Sequence, residues 1–128
     1  MQPKKVGIGI VAIIVIGIIA ASVGGSSGGA PSNAVVNNAP GSSTPGCEPD
    51  CFIPTTATIR AGGTITWMNG DTAAHTATSG SPSDGPDGVW DSSLMMAGGN
   101  YSVTLDTAGT YPYFCMVHPW MEGVVIVR

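Results

Sequence analysis

Charge is what this sequence has least of. Only 9% of its 128 residues are Asp, Glu, Lys or Arg. Lys4 and Lys5 stand at the extreme N-terminus, which leaves Arg60 and Arg128 facing all eight carboxylates over the rest of the chain. Such a balance repels phosphate backbones and excludes a basic nucleic-acid binder. Histidine is limited to His75 and His118, and cysteine to Cys47, Cys51 and Cys115. From residue 47 onward no stretch shows a sustained 3.6-residue apolar period, which excludes a helical domain. Long apolar runs are missing too, with one exception.

That exception is residues 6–23, "VGIGIVAIIVIGIIAASV", 18 residues without a charge. A helix of this length would reach ~27 Å, close to the hydrocarbon thickness of a bilayer. No face of it is polar, which argues against a buried core helix. A secretory signal has an apolar region of only ~7–15 residues, so a retained membrane anchor is the favoured reading. Ala20-Ala21-Ser22 nevertheless offers small residues where a peptidase could cut. Lys4 and Lys5 ahead of the run favour a cytoplasmic N-terminus, and both readings then put the remainder outside the cytoplasm. The expected location is the cell membrane, single-pass, or a secreted or periplasmic state after cleavage.

Residues 24–46 are rich in Gly, Ser, Pro and Asn without apolar periodicity, and read as a flexible tether. Residues 47–128 read as the folded domain. Turn signals at Ala61-Gly62-Gly63, Asn69-Gly70-Asp71, Ala97-Gly98-Gly99-Asn100 and residues 106–109 separate short runs rich in Thr, Val, Ile and aromatics. Thr64-Ile65-Thr66-Trp67 and residues 101–105 alternate, and "GVVIVR" at 123–128 is almost wholly β-branched. Many short strands at this spacing predict an all-β sandwich or barrel. A domain this small often carries a staple. An extracytoplasmic location permits a Cys47–Cys51 disulfide, although two free thiols are the alternative for so short a loop. Pairing them leaves Cys115 odd, which suggests a reactive or metal-bound thiol.

Cys115 lies in "YPYFCMVHPWM" (residues 111–121), where Cys115, His118 and Met121 stand three apart. His75 lies some forty residues upstream in "DTAAHTATS". Singly, each of these residues is most simply a core or loop residue. Together, one thiolate, two imidazoles and one thioether form a mixed soft and borderline set. Trigonal His₂Cys with a weak axial Met is what a type 1 blue-copper site needs. Zinc competes, but a structural zinc site would use more Cys and Met is a poor zinc ligand. A Cys/His nucleophile pair three residues apart would converge on an ion more readily than align for proton transfer.

"GTYPYFCMVHPWMEGVVIV", with "GTITWMNGDTAAHTATS" upstream, resembles the cupredoxin family of plastocyanin and amicyanin type, over residues 52–128. The short Cys-x-x-His-Pro-aromatic-Met loop is most similar to amicyanin, and the anchor-plus-domain layout to halocyanin. The resemblance implies a Greek-key β-sandwich of eight strands or fewer with one mononuclear copper. It makes His75, Cys115 and His118 the equatorial ligands and Met121 the axial one. It implies a non-enzymatic carrier of single electrons, because a copper oxidase needs a second copper site and this chain has two histidines. The alternative is a carrier or storage protein that delivers copper to another protein. One departure concerns the first histidine. The family often has Pro before it and Asn after it, where this chain has Ala74 and Thr76.

Redox partner proteins are expected to dock near His118, Trp120 and Pro119, inside a collar that includes Met116, Ala73 and Ala74. Residues 6–23 would contact the membrane, and neither nucleic acid nor a small-molecule substrate is expected. Asp84, Asp87 and Asp91 read as a solvated loop that could steer a basic partner. Met95 and Met96 read as packing residues, Tyr111 and Tyr113 as inward-facing neighbours of Cys115, and Asn100-Tyr101-Ser102 as a weak glycosylation sequon.

Overall fold

The computed structural model describes residues 29–128, so residues 6–23 lie outside the described part. Among the described residues no helix is long and apolar enough to cross a membrane. Nine strands form there. They are β1 (Asn33–Asn38), β2 (Phe52–Ile53), β3 (Thr56–Ile59), β4 (Gly63–Asn69), β5 (Thr78–Ser81), β6 (Gly85–Asp91), β7 (Asn100–Leu105), β8 (Gly109–Phe114) and β9 (Glu122–Val127). A five-stranded sheet runs β3-β9-β8-β5-β6 and a four-stranded sheet β2-β1-β4-β7. The all-β sandwich read from the turn spacing is therefore present, with one strand more than the upper bound of eight.

The extra strand corrects the tether reading over residues 33–46, while residues 24–28 lie outside the described part. Asn33–Asn38 pairs parallel with β4, from Asn33 opposite Thr64 to Asn38 opposite Asn69. Val36 and Asn38 are fully buried. Its apolar centre, Ala34-Val35-Val36, is too short to show a period, and its hydrogen-bond partner is 31 residues away in sequence. Composition therefore hid it. Residues 39–46 then turn back toward the sheet, with Ser42 fully buried. Cys47 and Cys51 are joined in a disulfide that pins the end of this segment beside β2.

Between the sheets the core is aromatic. Trp67 of β4 meets Tyr113 of β8 edge-on, with ring centroids 5.1 Å apart, and lies 5.5 Å from Trp90 of β6. Phe52 closes on Tyr113 at 4.8 Å. Such pairs add about 0.5–1.5 kcal/mol each beyond their buried area. Tyr113 points inward as expected. Tyr111 is only half-buried, and its hydroxyl donates to the Thr107 carbonyl.

β8 and β9 deserve their close pairing because together they carry the Cys115 strand and its return. Gly123 of β9 sits opposite Tyr113. A Cβ at Gly123 would fall 2.5 Å from the Tyr113 ring, itself wedged by Phe52 and Trp67. Gly123→Ala is accordingly expected to lose about 1–3 kcal/mol through overpacking. Urea unfolding of the metal-free protein measures this, and an unchanged midpoint would show that the ring can yield.

Candidate metal centre

Three sequence-distant pieces meet at one end of the sandwich: the loop after β4, Met95, and the Cys115–Met121 loop. β4 ends at Asn69, whose side-chain amide donates to the carbonyls of Ala73 (2.8 Å) and Met95 (2.9 Å). Its side-chain oxygen accepts the Asp71 amide at 3.0 Å. The short loop after β4 is thereby folded tightly, and His75 is locked by two backbone hydrogen bonds with Met95. β8 delivers Cys115. The chain then turns so that the Met121 amide donates to the His118 carbonyl at 2.9 Å and the Cys115 amide to the Met121 carbonyl at 3.1 Å. His75, Cys115 and Met121 are completely buried, while His118 is half-buried.

The donor atoms converge. His75 Nδ1 and His118 Nδ1 are 3.0 Å apart, and Cys115 Sγ lies 3.7 Å and 3.8 Å from them. Bonds of ~2.0–2.1 Å to nitrogen and ~2.3 Å to sulfur at trigonal angles separate the two atoms by ~3.7–3.8 Å. The sulfur-to-nitrogen spacings fit one bound ion without rearrangement. Met121 is fully buried at the closing end of the same loop.

Electrostatics favours the ligating forms of Cys115 and His118. Burial pushes the Cys115 thiol up, but the hydrogen bond with His75 and the amides of Thr76, Val117 and His118 outweigh it and lower its pKa. The thiolate is the form that binds metal. On His118, burial and then the neighbouring His75 charge lower the pKa, keeping the ring neutral.

Thr76 answers the question left by the missing Asn. Its amide donates to Cys115 Sγ at 3.3 Å, and its hydroxyl accepts the Met116 amide at 2.9 Å. A second contact, 2.9 Å to the Thr78 hydroxyl, fixes its rotamer. The residue after the first histidine thus ties the His75 loop to the cysteine loop, with a shorter side chain. Ala74 makes no comparable link.

Sequence reading missed Asp71. Its Oδ2 lies 2.7 Å from His75 Nε2, the nitrogen facing away from the donor cluster. Burial works against the Asp71 charge, but the hydrogen bond from His75 and the amides of Gly41 and Thr72 outweigh it and hold the carboxyl well below the usual carboxylate range. His75 moves the other way. Burial disfavours its charged form, but Cys115 and Asp71 prevail and raise its pKa. The i,i+4 spacing of Asp71 and His75 was a visible signal, though a weak one without the turn that brings them together.

Trp120 packs against the edge of the core cluster. It is half-buried, its indole N–H donates to the Ser42 carbonyl at 2.9 Å, and its ring lies 5.3 Å from that of His118. Met95 is buried against His75, whereas Met96 is 65% exposed. Asp87 and Asp91 are occupied within their own hairpin, accepting from Ser79 and from Thr78 and Ser93 respectively.

The fold and donor set together define a cupredoxin-type β-sandwich with a mononuclear metal centre. Residues 51–128 match the model of the copper binding proteins of the plastocyanin/azurin family, and the chain belongs to that family. It is 35% identical over 83 residues to an amicyanin of Paracoccus versutus, covering 65% of this chain and 62% of that protein. It is 35% identical over 85 residues to a plastocyanin of Scenedesmus fuscus, covering 60% of this chain and 86% of that protein. In three dimensions it resembles a purple cupredoxin from Nitrosopumilus maritimus, with a TM-score of 0.69 and 25% identity over 74% of this chain and 99% of that one. The cofactor of the centre is copper.

Proposed function

We propose that this protein is a blue-copper electron carrier that passes single electrons between redox proteins. His75, Cys115 and His118 hold the copper ion and Met121 completes its coordination weakly. The observation that carries this is the triangle of one thiol and two imidazole nitrogens with edges of 3.0–3.8 Å, two of its corners fully buried. When bound, copper supplies the one-electron Cu(II)/Cu(I) couple. The protein's own part is to keep the donors still. Thr76 ties two loops, Asn69 and the Met95 backbone lock His75, and the Cys115–Met121 loop closes on its own backbone. Donors held in this way cannot relax toward the shape either oxidation state prefers, so little rearrangement accompanies transfer. The amicyanin and plastocyanin relatives support a carrier rather than an enzyme.

Titrating Cu(II) into the domain is expected to give intense visible absorption that ascorbate bleaches, with a reversible voltammetric couple. A colourless complex overturns the reading. Ready loss of Cu(I) to an acceptor protein, without a reversible couple, would favour copper delivery instead.

Partners are proposed to meet the protein at the half-buried edge of His118. Around it Met116 and Val117 are 47% and 50% exposed, and Pro119 is exposed. Exposed apolar residues grouped at a redox centre suit brief docking. Met116→Glu places a charge there while leaving its backbone contact with Thr76 intact. Electron self-exchange is expected to slow about tenfold at low salt, at unchanged reduction potential. Equal rates would move the docking surface elsewhere. Lys4, Lys5 and the apolar run of residues 6–23 support a membrane-anchored location outside the cytoplasm, or a secreted or periplasmic one after cleavage.

A further inference from the structure

The copper reading leaves the outer nitrogen of His75 unassigned. His75 is fully buried, and its Nε2 has two polar neighbours, Asp71 Oδ2 at 2.7 Å and Ser42 Oγ at 3.4 Å. The imidazole that binds a metal is the neutral one, which carries one proton, on one nitrogen or the other. The nearer partner is an ionised carboxylate, which can only accept, so the proton sits on Nε2. Nδ1 is then left with a bare lone pair aimed at Cys115 Sγ and His118 Nδ1.

We propose that Asp71 is the positioning residue of the metal centre, fixing the tautomer and ring orientation of His75, and that residues 39–46 hold Asp71 in place. The proposal rests on the copper reading and deepens it. Four donors grip the carboxylate. Oδ1 accepts the amides of Gly41 (2.9 Å) and Thr72 (2.8 Å), and Oδ2 accepts the amide of Ser43 (3.3 Å) besides the His75 ring. Two of the four come from residues 39–46, a strap that precedes the family-matched region. The same strap accepts the Trp120 indole N–H through the Ser42 carbonyl. One short segment therefore braces the surroundings of both histidine ligands.

Asparagine at this position gives a sharp consequence. The amides of Gly41 and Thr72 demand an oxygen where Oδ1 stands, at 2.8–2.9 Å. Asp71→Asn would satisfy them with its carbonyl and turn its NH₂ toward His75 Nε2. An N–H donor there forces the imidazole proton onto Nδ1, the nitrogen that copper needs. Asp71→Ala removes the acceptor without imposing the wrong tautomer. The isosteric change is thus expected to be the more damaging of the two. A carboxylate on the outer nitrogen also makes the ring a stronger donor, which favours Cu(II) over Cu(I).

The test compares the wild type with Asp71→Asn, Asp71→Ala and Asp71→Glu, using Asp84→Asn as an exposed carboxylate control. Nitrogen-15 NMR of the metal-free protein, at a pH high enough that His75 is neutral, is expected to place its one ring proton on Nε2 in the wild type and on Nδ1 in Asp71→Asn. Cu(II) affinity should fall 10–100-fold in Asp71→Asn, less in Asp71→Ala, and recover partly in Asp71→Glu. Where Asp71→Ala still binds copper, the couple should shift toward Cu(I) by about tenfold, which is 59 mV for one electron. An Nδ1–H tautomer in the wild type overturns the proposal whether or not any variant folds. So do affinities and potentials of all three variants that match Asp84→Asn. Failure of the copper reading looks different, because the wild type itself would then bind Cu(II) without colour.

Discussion

Cys115→Ser is expected to abolish the visible absorption of the copper complex and to lower Cu(II) affinity by more than ~100-fold, beyond what loss of an outer hydrogen-bond partner costs. The substitution changes little else. Serine has nearly the same shape, and the amides of Thr76, Val117 and His118 that face the sulfur remain. What disappears is an ionisable soft donor. Those amides and His75 lower the Cys115 pKa against the effect of burial, whereas a serine hydroxyl stays protonated and hard. Two imidazoles and a thioether would remain around the ion. Absorption and competition titration read the result, and the urea midpoint of the metal-free variant should match that of wild type. A blue Cys115→Ser complex would mean that the sulfur is not a ligand.

The second large effect falls on the scaffold. Trp67→Ala should cost about 3–5 kcal/mol, a large share of the ~5–15 kcal/mol that stabilises a typical domain. Trp67 is fully buried and packs against Trp90, Tyr101 and Tyr113, so its loss opens a cavity touched by both sheets. It also stands two residues before Asn69, which organises the His75 loop. A lower urea midpoint in the metal-free protein, together with weaker copper binding, is the expected pattern. A loss below about 1 kcal/mol would show that the aromatic cluster closes over the gap.

The two substitutions mark a division in how the site is built. Cys115, His118 and Met121 lie within seven residues, and a loop that short cannot avoid bringing them together. Their spacing and donor chemistry were readable in the chain itself, as were the strands flanking them, because alternation and turn residues act over a few positions. Thr76 was legible in part, since its place after His75 suggested a brace.

The remainder depends on contacts between distant segments. Gly41 and Asp71 are 30 residues apart, Thr76 and Cys115 39, and Ser42 and Trp120 78. No local pattern encodes such pairs, because in each of them one partner is a backbone group, which every residue carries. Residues 33–46 show this most clearly. Their Gly, Ser, Pro and Asn content reads as a tether, yet parallel pairing with β4 and the burial of Val36 make them a strand and a strap. By itself the sequence determined a β-domain with a soft-metal ligand set. Only the tertiary structure decided which groups hold those ligands still, since the hydrogen bonds of Asp71, Thr76 and Trp120 exist only once the two sheets have brought their partners within 3 Å or so.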